Sequence, residues 1–185
     1  MHAAALPVNG LTALQALEKL DLSRGQRLLI TNGGGATGAL AIQLAAAKGI
    51  EVTATASAAA ERLLGLGARE VVDYHDPNWS AKVLGGFDVA LIIASSTADA
   101  ALPLVRHGGR LCSLTSDAPP EERGITSWDL YVEPNAAQLV QLAEQAAAGT
   151  LKLAPEPLPL SEGPAAFARV VTGRAGGKKI VLTRA

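Results

Sequence analysis

Hydrophobic residues along the chain come in two spacings that alternate. Leu11, Leu14, Leu17 and Leu20 recur at helical spacing and predict a helix over residues 11–20. After a polar turn at 23–26, Arg27 leads into Leu28, Leu29 and Ile30, an apolar run of strand length. An Ala/Leu-rich helical segment follows and stops at Lys48-Gly49, a basic last turn and a glycine. The same alternation continues with strands at 51–55, 70–74, 87–93, 110–114 and 125–132. Helices are expected at 58–66, 78–84, 98–106 and 135–148, separated by a polar loop at 115–124 after the fifth strand. Pro155, Pro157 and Pro159 read as a stiff connector, followed by a last helix from 161 to about 172 and a closing strand over 178–182. The run at 87–93 is apolar almost throughout, as a strand covered on both sheet faces must be. Strands alternating with helices predict an α/β fold, a doubly wound parallel sheet of six strands with helices on both faces.

The junction between the first strand and the next helix carries the clearest chemistry. Gly33, Gly35 and Gly38 fit G-x-G-x-x-G, after a strand and at the opening of a helix, as a dinucleotide-binding turn requires. The first glycine permits the tight turn, the second lets backbone approach a pyrophosphate, and the third lets helix and strand pack closely. Free N–H groups at the helix start face the phosphates at the positive end of the helix dipole. No Walker-type lysine follows Gly38, which argues against nucleoside triphosphates. Ligands of such sheets sit beyond the carboxyl ends of the strands, which singles out the loops 32–38, 55–58, 94–97 and 114–117. Ser95 and Thr115 are the polar candidates in the last two.

The end of the second strand speaks to the choice of dinucleotide. An NAD site places Asp or Glu about 20 residues after the glycines to bind the ribose hydroxyls. Here the segment reads Thr53-Ala54-Thr55-Ala56-Ser57, without a carboxylate. A 2′-phosphate meets no repulsion there, and Thr55 and Ser57 offer hydroxyls. Arg62 is the nearest cation downstream. NADP(H) is therefore favoured over NAD.

Charge and composition narrow the classes. Sixteen Lys and Arg against 17 Asp and Glu leave a formal net charge of −1, with the cations scattered rather than clustered. Neither a nucleic-acid footprint nor a polybasic membrane patch is present. No apolar run reaches membrane-spanning length, and the N-terminus lacks a signal-peptide pattern. Cys112 is the only cysteine, which excludes an internal disulfide, suits a reducing cytoplasm, and reads as a buried strand thiol. Tyr74 and Tyr131 are followed four positions on by Asn78 and Asn135, not by the lysine of a short-chain dehydrogenase pair. His75 and His107 border strands without a nucleophile or acid partner.

Several segments resemble the medium-chain dehydrogenase/reductase superfamily, in its zinc-independent, quinone-oxidoreductase-like branch. They are Ala5-Leu6-Pro7-Val8-Asn9-Gly10-Leu11-Thr12-Ala13, Ala41-Ile42-Gln43-Leu44-Ala45, Thr53-Ala54-Thr55-Ala56-Ser57, Leu66-Gly67-Ala68 and Val71-Val72-Asp73-Tyr74. Gly108-Gly109-Arg110-Leu111 and Gly177-Lys178-Lys179-Ile180-Val181-Leu182 complete the match, which covers nearly the whole chain. The resemblance implies an NADP-binding Rossmann domain over 1–185, from a reductase of quinones, enones or related carbonyl compounds. Its lead-in helix (1–22) and C-terminal segment (150–185) would contact a catalytic domain that precedes this stretch in the family and is missing here. By position, the amides of Ala36 and Thr37 would hold the pyrophosphate, and Ser57 and Tyr74 would flank the adenosine 2′-phosphate. Thr12 would lie near the middle of the cofactor and Arg174 at its phosphate end. A metal-ligand cysteine that zinc-dependent relatives carry near Leu6-Pro7-Val8 is absent, which implies no catalytic zinc. The branch's basic residue after the second-strand serine is replaced by Ala58-Ala59-Ala60, and its acid-containing turn after the fourth strand by Ala94-Ser95-Ser96-Thr97.

Two functional readings follow. One is the cofactor domain of an oxidoreductase that works with a catalytic domain or partner protein on a small-molecule substrate. The other is a stand-alone NADP-binding or sensing module; an enoyl-reductase domain of a polyketide synthase is a third option. Loss of a partner domain should leave apolar surface near residues 6–14 and on the closing strand. The sixth strand, with Trp128 and Tyr131, should form an open edge able to pair with a second copy as a homodimer.

Overall fold

The computed structural model describes residues 2–57, 60–175 and 178–184. A short 3-10 turn (His2–Ala5) leads into α1 (Asn9–Leu20), followed by β1 (Arg27–Ile30), α2 (Ala36–Ala47), β2 (Glu51–Ala56), α3 (Ala60–Leu64) and β3 (Glu70–Asp73). The second half runs α4 (Trp79–Lys82), β4 (Phe87–Ile92), α5 (Ala98–Ala101), β5 (Val105–Ser113), β6 (Thr126–Asp129) and α6 (Ala136–Ala147). A tail adds β7 (Pro155–Pro159), α7 (Gly163–Val171) and β8 (Lys179–Thr183).

β1 to β6 form one sheet in the order β3-β2-β1-β4-β5-β6, and every neighbouring pair is parallel. The expected doubly wound α/β sheet is therefore present, and its direction of winding reverses between β1 and β4. Side chains of β1 show why two helical layers are needed. Leu28 and Ile30 join the core cluster beneath α1, α2 and α6, whereas Leu29 joins the cluster on the opposite face with Trp79 and Leu102. All three are fully buried, the period-two alternation of a strand covered on both sides. α2 is buried from Gly38 to Leu44 and on to Ala45, because α1 lies over the side that does not face the sheet.

Several expectations need correction. The helix anticipated over 98–106 ends at Ala101 and passes through a 3-10 turn (Leu102–Leu104) containing Pro103. Val105 and Arg106 belong instead to β5, which starts five residues before the expected Arg110. Proline cannot supply the N–H that an α-helix continuing through it needs; Leu102 stays helical before it, and the chain turns extended at Val105. α3 and α4 are shorter than the segments read at 58–66 and 78–84, with Ala58 and Ala59 outside the described residues. β6 spans only Thr126–Asp129, so Tyr131 lies beyond it. The proline connector is a strand. β7 pairs in parallel with β8 as a separate two-stranded sheet, apart from the main one. Prolines two residues apart all direct their donor-less nitrogens to one side, and the N–H groups of Glu156 and Leu158 serve the partner strand.

The apolar surface lies where only half of it was expected. Leu6, Leu11 and Leu14 are buried, because α1 packs against α2 and α6. On the closing strand Leu182 is exposed, and the larger exposed apolar side chains lie just before it on α7, with Phe167 at 71% and Val171 at 67% of their surface. β6 is the last strand of the sheet, with Trp128 half-buried against the core and the Lys19 ammonium 5.7 Å from its ring centroid. Cys112 is fully buried, and burial pushes its thiol up to about 12, so it is inert as a nucleophile.

At the amino ends of the strands a single carboxylate ties three of them together. Asp88 of β4 accepts from the backbone N–H of Arg27 at 2.8 Å, from Arg106 Nε of β5 at 2.9 Å and from Gln26 Nε2 at 3.2 Å. Burial disfavours its charge, but the Arg27 amide and the Arg106 guanidinium outweigh burial and hold the carboxyl below the usual carboxylate range. A carboxylate with a depressed folded-state pKa stabilises the fold above its unfolded value of about 3.9, and that stabilisation disappears as pH falls through the folded value. Asp88→Asn is therefore expected to lower unfolding free energy at pH 7 by about 1.5–3 kcal/mol, the worth of charged hydrogen bonds. Urea titrations from pH 7 to pH 2.5 should show the gap between variant and wild type closing below about pH 4; a constant gap would assign the effect to packing.

Candidate dinucleotide-binding site

The turn between β1 and α2 is built by close approach. Asn32 adopts a left-handed φ of 54°, and its backbone N–H donates to Thr55 Oγ1 at 3.0 Å. Gly33 N–H donates to the Thr55 carbonyl at 2.8 Å, which docks the turn on the end of β2. A Cβ on Gly33 would sit 2.7 Å from that of Ala54, and one on Gly38 would sit 2.5 Å from the Asn32 carbonyl oxygen. Both glycines are thus packing necessities. Gly35 is the extended N-cap of α2, and no side chain caps the helix, so the amides of its first turn keep their donors free of a cap.

Gly34, Gly35 and Ala36 border a cleft of about 800 Å³. The cleft opens at the carboxyl ends of β1, β2 and β4, at the point where strand order reverses, and the tail closes its far side with Val170, Gly173, Ala175, Lys178 and Lys179. Thr55 and Ser57 lie at its β2 end and Tyr74 beyond β3, while Ala94, Ser95 and Thr97 form the β4 side. That β4 side hangs on Thr31, which is fully buried. Thr31 Oγ1 accepts from Ile93 N–H at 2.9 Å and from Thr97 Oγ1 at 3.1 Å.

Of the residues singled out in the sequence, Gly35, Ala36, Thr55, Ser57, Tyr74 and Ser95 meet around this cleft. Others stand behind its wall. Arg62 reaches from α3 to donate to the Gly34 carbonyl at 2.7 Å, so it braces the glycine turn. Thr37 accepts from Asn9 Nδ2 at 2.8 Å, and Thr115 donates to Asp117 Oδ1 at 2.7 Å. Thr12 lies within α1, where its N–H is bonded to the Val8 carbonyl. Arg174 turns its Nε to Thr172 Oγ1 at 3.0 Å, between two glycine and alanine neighbours that do line the cleft.

Asn9, Trp79, Lys178 and Lys179 were not identified as site residues from the sequence, and Asn32 and Thr97 only as members of the loops 32–38 and 94–97. Two adjacent lysines beside Arg174 were a usable signal, but roughly the whole sheet separates them in sequence from the glycine turn. Asn9 carries a second clue in three dimensions: its Oδ1 is buried without a hydrogen-bond partner. Uncapped helix amides and two lysines form a donor-rich recess suited to an anionic ligand, and the unpaired Asn9 oxygen beside them calls for a donor from a ligand. Among the described residues, no three His, Cys, Asp or Glu side chains gather into a metal site.

A parallel sheet in this order, with a glycine turn and a cleft at its reversal point, defines a Rossmann domain. The chain belongs to the zinc-binding dehydrogenase family, whose model matches residues 66–182, within the medium-chain dehydrogenase/reductase superfamily. It is 32% identical over 190 aligned positions to a 2-methylene-furan-3-one reductase of Solanum lycopersicum, covering 97% of this chain and 46% of that protein. Likeness to an NADPH-dependent alkenal/one oxidoreductase of Arabidopsis thaliana is 31%, again over 97% of this chain and 46% of the relative. The quinone oxidoreductase structure from Coxiella burnetii superposes with a TM-score of 0.87 at 27% identity, covering 97% of this chain and 59% of that one. The chain spans about half the length of the curated relatives it matches.

Replacing Gly38 by alanine forces a methyl group against backbone atoms that cannot rotate away. We expect Gly38→Ala to cost about 1–3 kcal/mol, the range for overpacking, read by chemical denaturation. Gly149→Ala, where no atom lies within 4 Å but φ is +74°, should cost less, about 1 kcal/mol.

Proposed function

We propose that this chain is the NADP(H)-binding part of a zinc-independent oxidoreductase that delivers hydride to a quinone, enone or similar carbonyl compound. The observation that carries the reading is the glycine turn whose uncapped helix amides open onto the cleft at the sheet's reversal point. Membership of the dehydrogenase family and the names of its relatives support it.

In this reading the amides of Ala36 and Thr37, with Gly34 and Gly35 beneath them, hold the diphosphate. Gly33 and Gly38 keep the helix start close to β2, and Arg62 stiffens the turn from behind through the Gly34 carbonyl. Ser57 and Tyr74 bind the adenosine side, where no carboxylate at the β2 terminus opposes a 2′-phosphate, and Lys178 and Lys179 add positive charge to the same cleft. Arg174 and Thr12 support the phosphate end and the middle of the ligand. Ser95 and Thr115 belong to the β4 and β5 side. When bound, the nicotinamide cofactor supplies the hydride. Residues 1–22 and 150–185 serve as the contact region for a catalytic domain or partner protein, which brings the substrate-binding groups. The exposed apolar face of α7 suits that contact.

We further assign the protein to the cytoplasm, without nucleic-acid or membrane partners, as a homodimer joined along β6. No helix among the described residues is long and apolar enough to cross a membrane.

Titrating the chain with NADPH and NADH, and following nicotinamide fluorescence, tests the cofactor. NADPH should bind tighter by about tenfold or more, equivalent to about 1.4 kcal/mol. Ser57→Glu should remove that preference through repulsion of the 2′-phosphate, and failure of both dinucleotides to bind would sink the proposal. Light scattering at micromolar concentration should report twice the chain mass; a monomer would refute pairing along β6.

A further inference from the structure

The loop that follows β5 contains one carboxylate whose hydrogen bonds reach across the end of the sheet. Asp117 Oδ1 accepts from Ser113 Oγ at 2.6 Å and from Thr115 Oγ1 at 2.7 Å. Its Oδ2 accepts from the backbone N–H of Ser96 at 2.8 Å. Ser113 ends β5 and is fully buried, so the carboxylate is anchored to the core on one side. Ser96 lies in the turn after β4, on the other side. The Asp117 loop is itself tied down, since the Ala118 N–H donates to Asp129 Oδ1 of β6 at 3.1 Å.

The turn that Asp117 grips has two anchors only a few residues apart. Thr31 of the β1 end holds Ile93 and Thr97, and Asp117 holds Ser96. Ser96 has a left-handed φ of 62°, a conformation that costs a side-chain-bearing residue about 1–2 kcal/mol and persists only where neighbours enforce it. Ser95, directly before it, lines the cleft together with Ala94 and Thr97. In sheets of this topology the adenosine half of a dinucleotide lies at the β2 end, which leaves the β4 side to the other mononucleotide.

We propose that Asp117 is a positioning residue for the nicotinamide half of the cleft: it holds the Ala94-to-Thr97 turn in its cleft-lining conformation through the Ser96 amide. The inference rests on the dinucleotide reading above. Chemistry requires a carboxylate at this position. Three donors converge on it, and an amide in its place presents a single acceptor oxygen and two N–H groups that meet donors. The Ser113 and Thr115 hydroxyls hold the carboxyl below the usual carboxylate range, in keeping with an ionised acceptor. Among the described residues no cation pairs with it, so its charge is committed to these donors.

The test uses Asp117→Asn in the full chain, with thermal unfolding to confirm the fold, and two ligands: NADPH and the adenosine-side fragment 2′,5′-ADP. A positioning role predicts a loss of NADPH affinity of about five- to tenfold, the effect of one charge-assisted hydrogen bond, with 2′,5′-ADP affinity unchanged. Emission of the bound nicotinamide should fall in parallel. Equal affinities for NADPH in variant and wild type, or equal losses for both ligands, would overturn the proposal. Should the variant not fold, Ser113→Ala removes the shortest hydrogen bond to the carboxylate, keeps its charge, and is read by the same split between ligands. Wild-type chain that binds neither ligand would overturn the dinucleotide reading itself, and this assignment with it.

Discussion

The Asn32 carbonyl and the Cα of Gly38 meet so closely that no side chain fits between them, and the arrangement of the site depends on that contact. It brings the first turn of α2 down onto the end of β1, while Gly33 brings the turn against Ala54 of β2. Thr55 supplies the matching hydrogen bonds from the same strand. Once these approaches are made, the uncapped amides of α2 have one direction to face, the cleft between the two halves of the sheet. A methyl group at either glycine separates the helix from the strand and widens the mouth that those amides border.

The two ends of the sheet are held by different chemistry. At the amino ends, Asp88 gathers backbone and guanidinium donors from β1 and β5. At the carboxyl ends, neutral hydroxyls dominate: Thr31 takes the β4 turn and Thr55 the glycine turn. Carboxylates there take loop donors too: Asp129 and Asp73 each accept a backbone N–H, and Asp117 is satisfied by hydroxyls and an amide. The cleft at the carboxyl ends is lined by hydroxyls, amides and lysines, and Asp117 is not among its lining residues.

The order of strands and helices was legible because the central strands β1 and β4, buried on both faces, are almost wholly apolar, and because glycine and proline mark the breaks. The glycine turn announced itself by its spacing. What sequence spacing could not convey was partnership across distance. Pro155, Pro157 and Pro159 looked like a connector because nothing local reveals that β8 waits to pair with the intervening N–H groups. Leu6, Leu11 and Leu14 looked like an abandoned interface, although α2 and α6 already cover them. Val105 and Arg106 read as the end of a helix, although the chain has passed Pro103 and turns extended at Val105 to pair with β4. In the site, Ser57 and Ser95 were legible as polar residues at strand ends, and Tyr74 only through the family resemblance. Lys178 and Lys179 were not, because a tail folded back on the sheet supplies them, and Asp117 emerged only through the loop that it touches.

That tail has an architectural consequence. β7 and β8 pair with each other and with no strand of the main sheet, yet the first residue of β8 and the one before it furnish the lysines of the cleft. Charge selection at the mouth of the pocket is thus physically decoupled from the framework that shapes it. Exchanges at these lysines redraw the local electric field of the cleft while the buried core keeps its packing.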